Sequence, residues 1–285
     1  MDGLAETPVV SSKGAEGFLV ALAGGGLLDA RRVALVVAHP DDEAIGVGGQ
    51  LNRLHGVTAI HATEGAPRTP GNAAEHGFAS AAEYAFARAC ELERMMMLGG
   101  VPIADRFAIG LADQQAALNL TRLARSLARL FEQRAVDIVL THAFEGGHPD
   151  HDAVAFAVHA AAELRKRQGS EVGIIEMPFY HAAEKSWGVQ RFLHHQQADG
   201  VTIVLDQPAR LRKKEMFAAH RTQAKTLKLF AVDVERFRIA PRYAFGTLPN
   251  CGDLLYERYD WGMDGARWMT LVAGAALELG VEQLL

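Results

Sequence analysis

Ala38-His39-Pro40-Asp41-Asp42-Glu43 follows directly on the run Val33-Ala-Leu-Val-Val-Ala38, and this junction constrains the fold more than any other stretch of the chain. A short unbroken apolar run rich in β-branched residues predicts a strand over 33–38 that is covered on both faces. Such a strand belongs inside a parallel sheet with helices above and below it. The chain then alternates as that architecture requires. Helix is expected over 43–55, strand over 57–63, a polar loop over 64–77 and an Ala-rich helix over 80–98. A weaker strand over 106–110 precedes a helix over 115–134, with Leu118, Leu123, Leu127, Leu130 and Phe131 on one side. Strand over 136–141, helix over 152–167, strands over 172–180 and 201–205 and a basic-faced helix over 208–230 follow. Aromatics alternate with Pro and Gly between 237 and 261, and a closing helix is expected over 265–279. No linker separates two domains, so the expectation is one α/β domain over 1–285, with a Rossmann-like, mostly parallel sheet and helices on both faces.

The second constraining segment is Gly146-Gly147-His148-Pro149-Asp150-His151, which again follows a strand and opens a helix. Ligands of an open parallel sheet bind at the carboxyl ends of its strands, so both corners meet at one edge. Asp41, Asp42 and Glu43 at the lip of a low-dielectric core repel one another and lose hydration unless positive charge sits among them. A divalent cation meets that need. His39 and Asp42 lie three apart around a tight turn, and His151 in the first turn of the later helix completes a two-His, one-carboxylate set that leaves open positions for water. Either segment alone reads equally well as a helix cap, with acidic residues complementing the dipole. Histidine has no special value in capping, and the conjunction of the two favours a metal.

Composition narrows the partners. Hydrophobic residues make up 49% and charged residues 22% of the 285, which excludes disordered, collagen-like and coiled-coil chains. With 29 Lys and Arg against 34 Asp and Glu the formal charge is −5, which argues against nucleic-acid phosphates or an anionic membrane as partner and leaves a small molecule. Two distant cysteines, Cys90 and Cys251, form no CxxC pair and point to a reducing compartment. Neither a basic-then-apolar leader nor an 18-residue apolar window is present, so a cytoplasmic location is expected.

The pair of segments resembles the PIG-L/LmbE-like family of zinc-dependent N-acetylglucosaminyl deacetylases. Thr63-Glu64-Gly65, then Tyr84, Arg88 and Glu91 before Leu98-Gly99, and Lys213 with His220-Arg221-Thr222-Gln223 are similar to that family in spacing. The resemblance spans about 33–230, and the segment over 235–285 departs from it. It implies an LmbE-like fold, one Zn2+ per chain bound by His39, Asp42 and His151, Asp41 as general base and His148 as second catalytic histidine. In that arrangement Asp41 takes a proton from the attacking water and returns it to the leaving amine, and a protonated His148 helps to stabilise the oxyanion. Asp150 either holds a histidine ring as an outer partner or caps its helix.

Weaker candidates surround this set. His220 and Gln223 share an inward stripe with Met216, Leu227 and Phe230, as pocket lining or as buried polar groups bonded within the core. Arg68, in the polar loop, either hydrogen-bonds a sugar or phosphate of the substrate or is solvated. The aromatic segment supplies pocket walls or a contact in a homo-oligomer. The activity expected is hydrolysis of the N-acetyl or other N-acyl group of an amino-sugar-containing small molecule. The alternatives are a zinc amidase acting on a non-sugar acyl amide or thiol conjugate, and a nucleotide-binding module, against which stands the absence of a GxGxxG after the first strand.

Overall fold

The computed structural model describes residues 14–184, 186–195, 198–259 and 261–285. The stretch read above for a leader lies outside them up to residue 13. The central sheet has seven strands: β1 (Val33–Val37), β2 (Thr58–Pro67), β3 (Arg106–Asp113), β4 (Ile138–His142), β5 (Gly173–Met177), β6 (Gly200–Val204) and β7 (Val234–Ile239). Their order is β6-β7-β5-β4-β1-β2-β3. β3, β2, β1, β4 and β5 are mutually parallel, while β7 pairs antiparallel with both β5 and β6.

Alternation along β1 divides the core, since successive side chains of a strand leave on opposite faces. Ala34 and Val36 join one apolar layer with Phe131, Phe156 and Trp268, from helices Leu120–Gln133, Pro149–Arg167 and Gly265–Leu279. Val33, Leu35 and Val37 join the other with Phe18, Met95 and Met216, from helices Gly14–Gly24, Ala81–Leu98 and Gln207–Ala219. Each such fully buried large side chain contributes about 1.5–3 kcal/mol, so the two layers fix the sheet and the strand ends with it. The expected three-layer α/β architecture is therefore present, and the closing helix occupies the expected residues. No helix among the described residues is long and apolar enough to cross a membrane.

Three departures from the sequence reading have physical causes. The helix expected over 43–55 stops at Val47 (Asp42–Val47), where the chain passes so close to its neighbours that a Cβ on Gly49 would lie 2.5 Å from Leu205. Leu54–His55 instead pairs with Leu28–Asp29. Pro178, which has no N–H for a ladder, follows β5, and the expected strand over 172–180 becomes β5 plus the first strand of a hairpin, Tyr180–Ala183 with Ser186–Val189. The basic helix ends at Ala219, and the next turn swings away because Glu91 accepts from both the Thr222 amide at 2.9 Å and its hydroxyl at 2.6 Å. The strand β7 was not anticipated.

Candidate metal centre

The strand order reverses between β1 and β4, and the crevice outside their carboxyl ends is where a doubly wound sheet takes its ligand. His39, Asp41 and Asp42 leave β1 there, and His148, Asp150 and His151 leave β4 through the loop to helix Pro149–Arg167. Gly147 lets the second corner close: a Cβ on it would lie 1.8 Å from the Tyr180 carbonyl oxygen. All six residues are buried, none more than 7% exposed.

His39 Nδ1 lies 3.3 Å from His151 Nε2 and 3.4 Å from Asp42 Oδ2, and His151 Nε2 lies 3.3 Å from Asp42 Oδ1. A tetrahedral zinc with bonds of about 2.0–2.1 Å separates its ligands by roughly 3.3–3.4 Å, so the two nitrogens stand at the spacing that one such ion requires, and Asp42 turns one oxygen toward each of them. Hydrogen bonds decide which imidazole nitrogens are free to ligate. His148 Nδ1 accepts from the Asp150 amide at 3.1 Å, and His142 Nε2 accepts from the Ala38 amide at 2.9 Å, so these lone pairs are taken. His39 Nε2 faces Asp150 at 3.3 Å and Asp113 at 3.2 Å, which places its proton there and leaves Nδ1 for a metal. Asp150 also accepts from the amides of Gln114 at 2.6 Å and Ala116 at 2.9 Å, so it binds the β3 loop to the centre rather than capping its own helix.

The electrostatics agree with that assignment. Burial works against a charged His39, but Asp113, Asp150 and Asp42 outweigh it and hold the ring's pKa well above the histidine range. Burial also works against Asp42, yet His151 and His142 hold its carboxyl well below the usual range. The carboxylates demand positive charge, which either a proton on His39 or a divalent cation among the donors supplies. Overlapping sets of His and Asp donors, all mutually close enough to share one ion, converge on this spot, including His39 with His148 and His151 and Asp42 with His142 and His151.

Asp41 stands beside the triangle. Burial pushes its pKa up to about 6, with Arg88 pulling the other way from 3.5 Å. Its backbone adopts φ +130°, a conformation rare for a residue with a side chain, and is held there by its amide donating to Glu43 Oε2 at 3.1 Å and by Arg88 donating to the Pro40 carbonyl. Glu43, expected at the lip with the other two carboxylates, turns inward instead, where His61 at 3.0 Å and His220 at 3.7 Å flank it.

A cavity of about 200 Å³ opens onto His39, Asp41, Asp42, Asp113 and His148. Gln223 lines it and donates to Tyr84 Oη at 2.7 Å, from the short turn Arg221–Gln223 beyond the helix rather than from a stripe along it. His220 and Arg68 are not in its lining. His220 is fully buried beneath Glu43 because the helix breaks just before it. Arg68 is exposed, pairs with Glu64 one helical turn's spacing away in sequence and donates to the Ala66 carbonyl at 2.9 Å. Sequence reasoning missed Asp113, His142 and the Arg88–Asp41 contact. A signal existed for the first two, since each is a potential ligand at the carboxyl end of a parallel strand, one residue to three residues beyond the strand ends expected. A larger cleft of about 1040 Å³ lies at the amino ends of β1 and β4, but its Arg31, Arg32 and Arg134 are paired with Asp29, Asp137 and Asp105, and no histidine lines it.

Residues 34–162 match the family PIG-L: GlcNAc-PI de-N-acetylase. Among solved structures the chain is similar to the A40926 pseudoaglycone deacetylase Dbv21, at 18% identity over 76% of this chain and 99% of that one with a TM-score of 0.57. It is also similar to N,N'-diacetylchitobiose deacetylase from Pyrococcus horikoshii, at 20% identity over 75% of this chain and 85% of that one with a TM-score of 0.52. A third is a teicoplanin-complexed deacetylase of the teicoplanin biosynthesis pathway, at 14% identity, 73% and 97% coverage and a TM-score of 0.55. No curated protein matches the chain.

Proposed function

We propose that this chain, whose residues 34–162 form a PIG-L family domain, is a zinc-dependent amide hydrolase that removes the N-acetyl group of an amino-sugar-containing small molecule, with one Zn2+ per chain. The observation that carries the reading is the pair His39 Nδ1 and His151 Nε2, 3.3 Å apart, with an oxygen of Asp42 at 3.4 Å from the first and its other oxygen at 3.3 Å from the second, and Asp41 beside them. The solved deacetylases that share the fold support the N-acetyl amino-sugar class of substrate.

A divalent ion held by those three residues supplies Lewis acidity toward a water and an amide carbonyl, bringing hydroxide chemistry within reach of neutral pH. Asp41 accepts the water's proton as the oxygen adds to the carbonyl carbon. Its raised pKa suits a group that must hold that proton and then release it. As the C–N bond breaks, Asp41 delivers the proton to the leaving nitrogen, and acetate and a primary amine result. Arg88 holds the carboxylate in place, and Glu43 fixes the Asp41 backbone by accepting from its amide. His148 carries its proton on Nε2, since Nδ1 is occupied by the Asp150 amide, and Nε2 lies toward the cavity 3.8 Å from Asp113. Burial, reinforced by His39, drives its pKa well below the ordinary histidine range. It therefore acts as a neutral N–H donor to the developing oxyanion rather than as the imidazolium expected from the sequence.

The test is primary-amine release from a panel of N-acetylated amino sugars, with the protein chelated and then reloaded with zinc. Amine and acetate should appear in equal amounts only after reloading. Release of a larger acid from a non-sugar amide, with no turnover of any amino sugar, overturns the substrate assignment.

A further inference from the structure

Two segments outside the family-matched residues 34–162 meet across the cavity from the catalytic corners. The hairpin contributes Tyr180 and Trp187, whose ring centroids are 4.8 Å apart, and the C-terminal segment contributes Trp261. Trp187 Nε1 donates to Tyr259 Oη at 3.0 Å, and Tyr259 stacks on Trp261 at 4.8 Å with 14° between the planes, so the two segments form one continuous aromatic wall. Trp261 also lies 4.7 Å from His148 and Tyr180 5.1 Å from His151, which sets the wall against the reacting end of the cavity. Trp187 and Trp261 are only half-buried, leaving ring surface open.

The charge lining the same cavity points the same way. Among the described residues that line it, Arg88 is the sole Arg or Lys. Its side chain is 3% exposed and is engaged by Asp41 and the Pro40 carbonyl. Among the described residues that line the cavity, no guanidinium or ammonium is left to receive a phosphate or carboxylate, while Asp41, Asp42 and Asp113 face inward. Large aromatic faces without a cationic partner reward an apolar, uncharged group and disfavour an anion.

We propose that Trp187 and Trp261 are specificity-determining residues that select N-acetylated amino sugars bearing an uncharged, apolar or aromatic aglycone over those bearing a phosphate. This deepens the deacetylase reading and rests on it.

The experiment compares amine release from phenyl N-acetyl-β-glucosaminide, N-acetylglucosamine 1-phosphate and free N-acetylglucosamine by the zinc-loaded protein and its Trp187→Ala, Trp261→Ala and Trp261→Phe variants. The unsubstituted protein should prefer the phenyl glycoside to the 1-phosphate by about tenfold or more in kcat/KM, a typical consequence of burying one aromatic group. Each alanine variant should lose about fivefold or more on the phenyl glycoside, mainly through KM, and clearly less on the free sugar and the 1-phosphate, and Trp261→Phe, which keeps a ring face, should retain the preference. Equal losses on all three sugars, or a preference for the phosphate, overturns the proposal. Should no sugar release amine, the deacetylase reading fails by itself, and calorimetry with the same compounds decides the wall. Tighter binding of the phenyl glycoside that both alanine substitutions weaken supports it, and binding of none overturns it.

Discussion

His39 Nδ1 and His151 Nε2 lie 3.3 Å apart although 112 positions separate them in the chain. Two ring nitrogens at that distance repel as lone pairs unless a proton or a cation lies between them, and Asp42 completes the triangle. The surrounding bonds sharpen its meaning, because His142 Nε2 and His148 Nδ1 already accept from backbone amides.

The division of labour inside the triangle is tested by Asp41→Asn. This variant should bind zinc as the unsubstituted protein does while turnover falls by about 10² or more, the scale for losing a positioned base. His39→Ala and His151→Ala should lose the metal itself. Elemental analysis beside kinetics separates the two, and loss of zinc from Asp41→Asn as complete as from His39→Ala would make Asp41 a ligand.

The part of the stability that Glu145 and Glu176 contribute should fall as pH rises from about 5 to about 8. Burial pushes Glu145 up to about 8 and Glu176 up to about 7, the latter against the pull of Arg238, so both folded-state values exceed that of an unfolded glutamate. Protons held by the folded but not the unfolded chain give stability that is complete below the unfolded pKa and is lost as pH passes through the folded one. The Tm of the parent minus that of Glu145→Gln, which cannot ionise, should fall between pH 5.5 and pH 8.5. An unchanged difference across that range would refute the assignment to Glu145.

Lys213 anchors the helix that carries Asp42. Its ammonium is fully buried and donates to the Ile45 carbonyl at 2.8 Å and to Glu235 at 2.7 Å, while Glu235 also accepts from the Gly49 amide at 2.7 Å. Lys213→Ala leaves Glu235 charged and unpaired in the core, at a cost of about 3–5 kcal/mol. Adding Glu235→Leu should recover much of that loss in denaturant titrations. A single variant as stable as the parent would show that the pair does not hold the helix.

Of the two readings of Arg68, substrate contact or solvated residue, its pairing with Glu64 outside the cavity favours the second. Arg68→Ala should leave KM within about twofold, as surface substitutions usually do. Gln223→Ala, which removes a lining group and frees the Tyr84 hydroxyl, should raise it. A larger KM rise for Arg68→Ala than for Gln223→Ala would place the substrate beyond the present cavity.

Much of the frame was legible because its signals are local. The apolar run of β1 and the period of helix Leu120–Gln133 each need only a few neighbours to be read. Errors gathered where a distant partner overrode local preference: Leu205 crowding Gly49, Glu91 drawing Thr222 away from the basic helix, and Asp113 reaching the centre from the end of a strand expected to finish at 110.

The sequence by itself determined that His39, Asp41 and Asp42 and then His148, Asp150 and His151 stand at strand ends, because side-chain alternation and helix entry are short-range properties of consecutive residues. Only the tertiary structure decided which nitrogens keep a free lone pair, why Glu43 turns inward, and that Trp187 and Trp261 share one wall. Each of those depends on a hydrogen bond or ring contact between residues far apart in the chain, and nothing local in the sequence encodes such a distance.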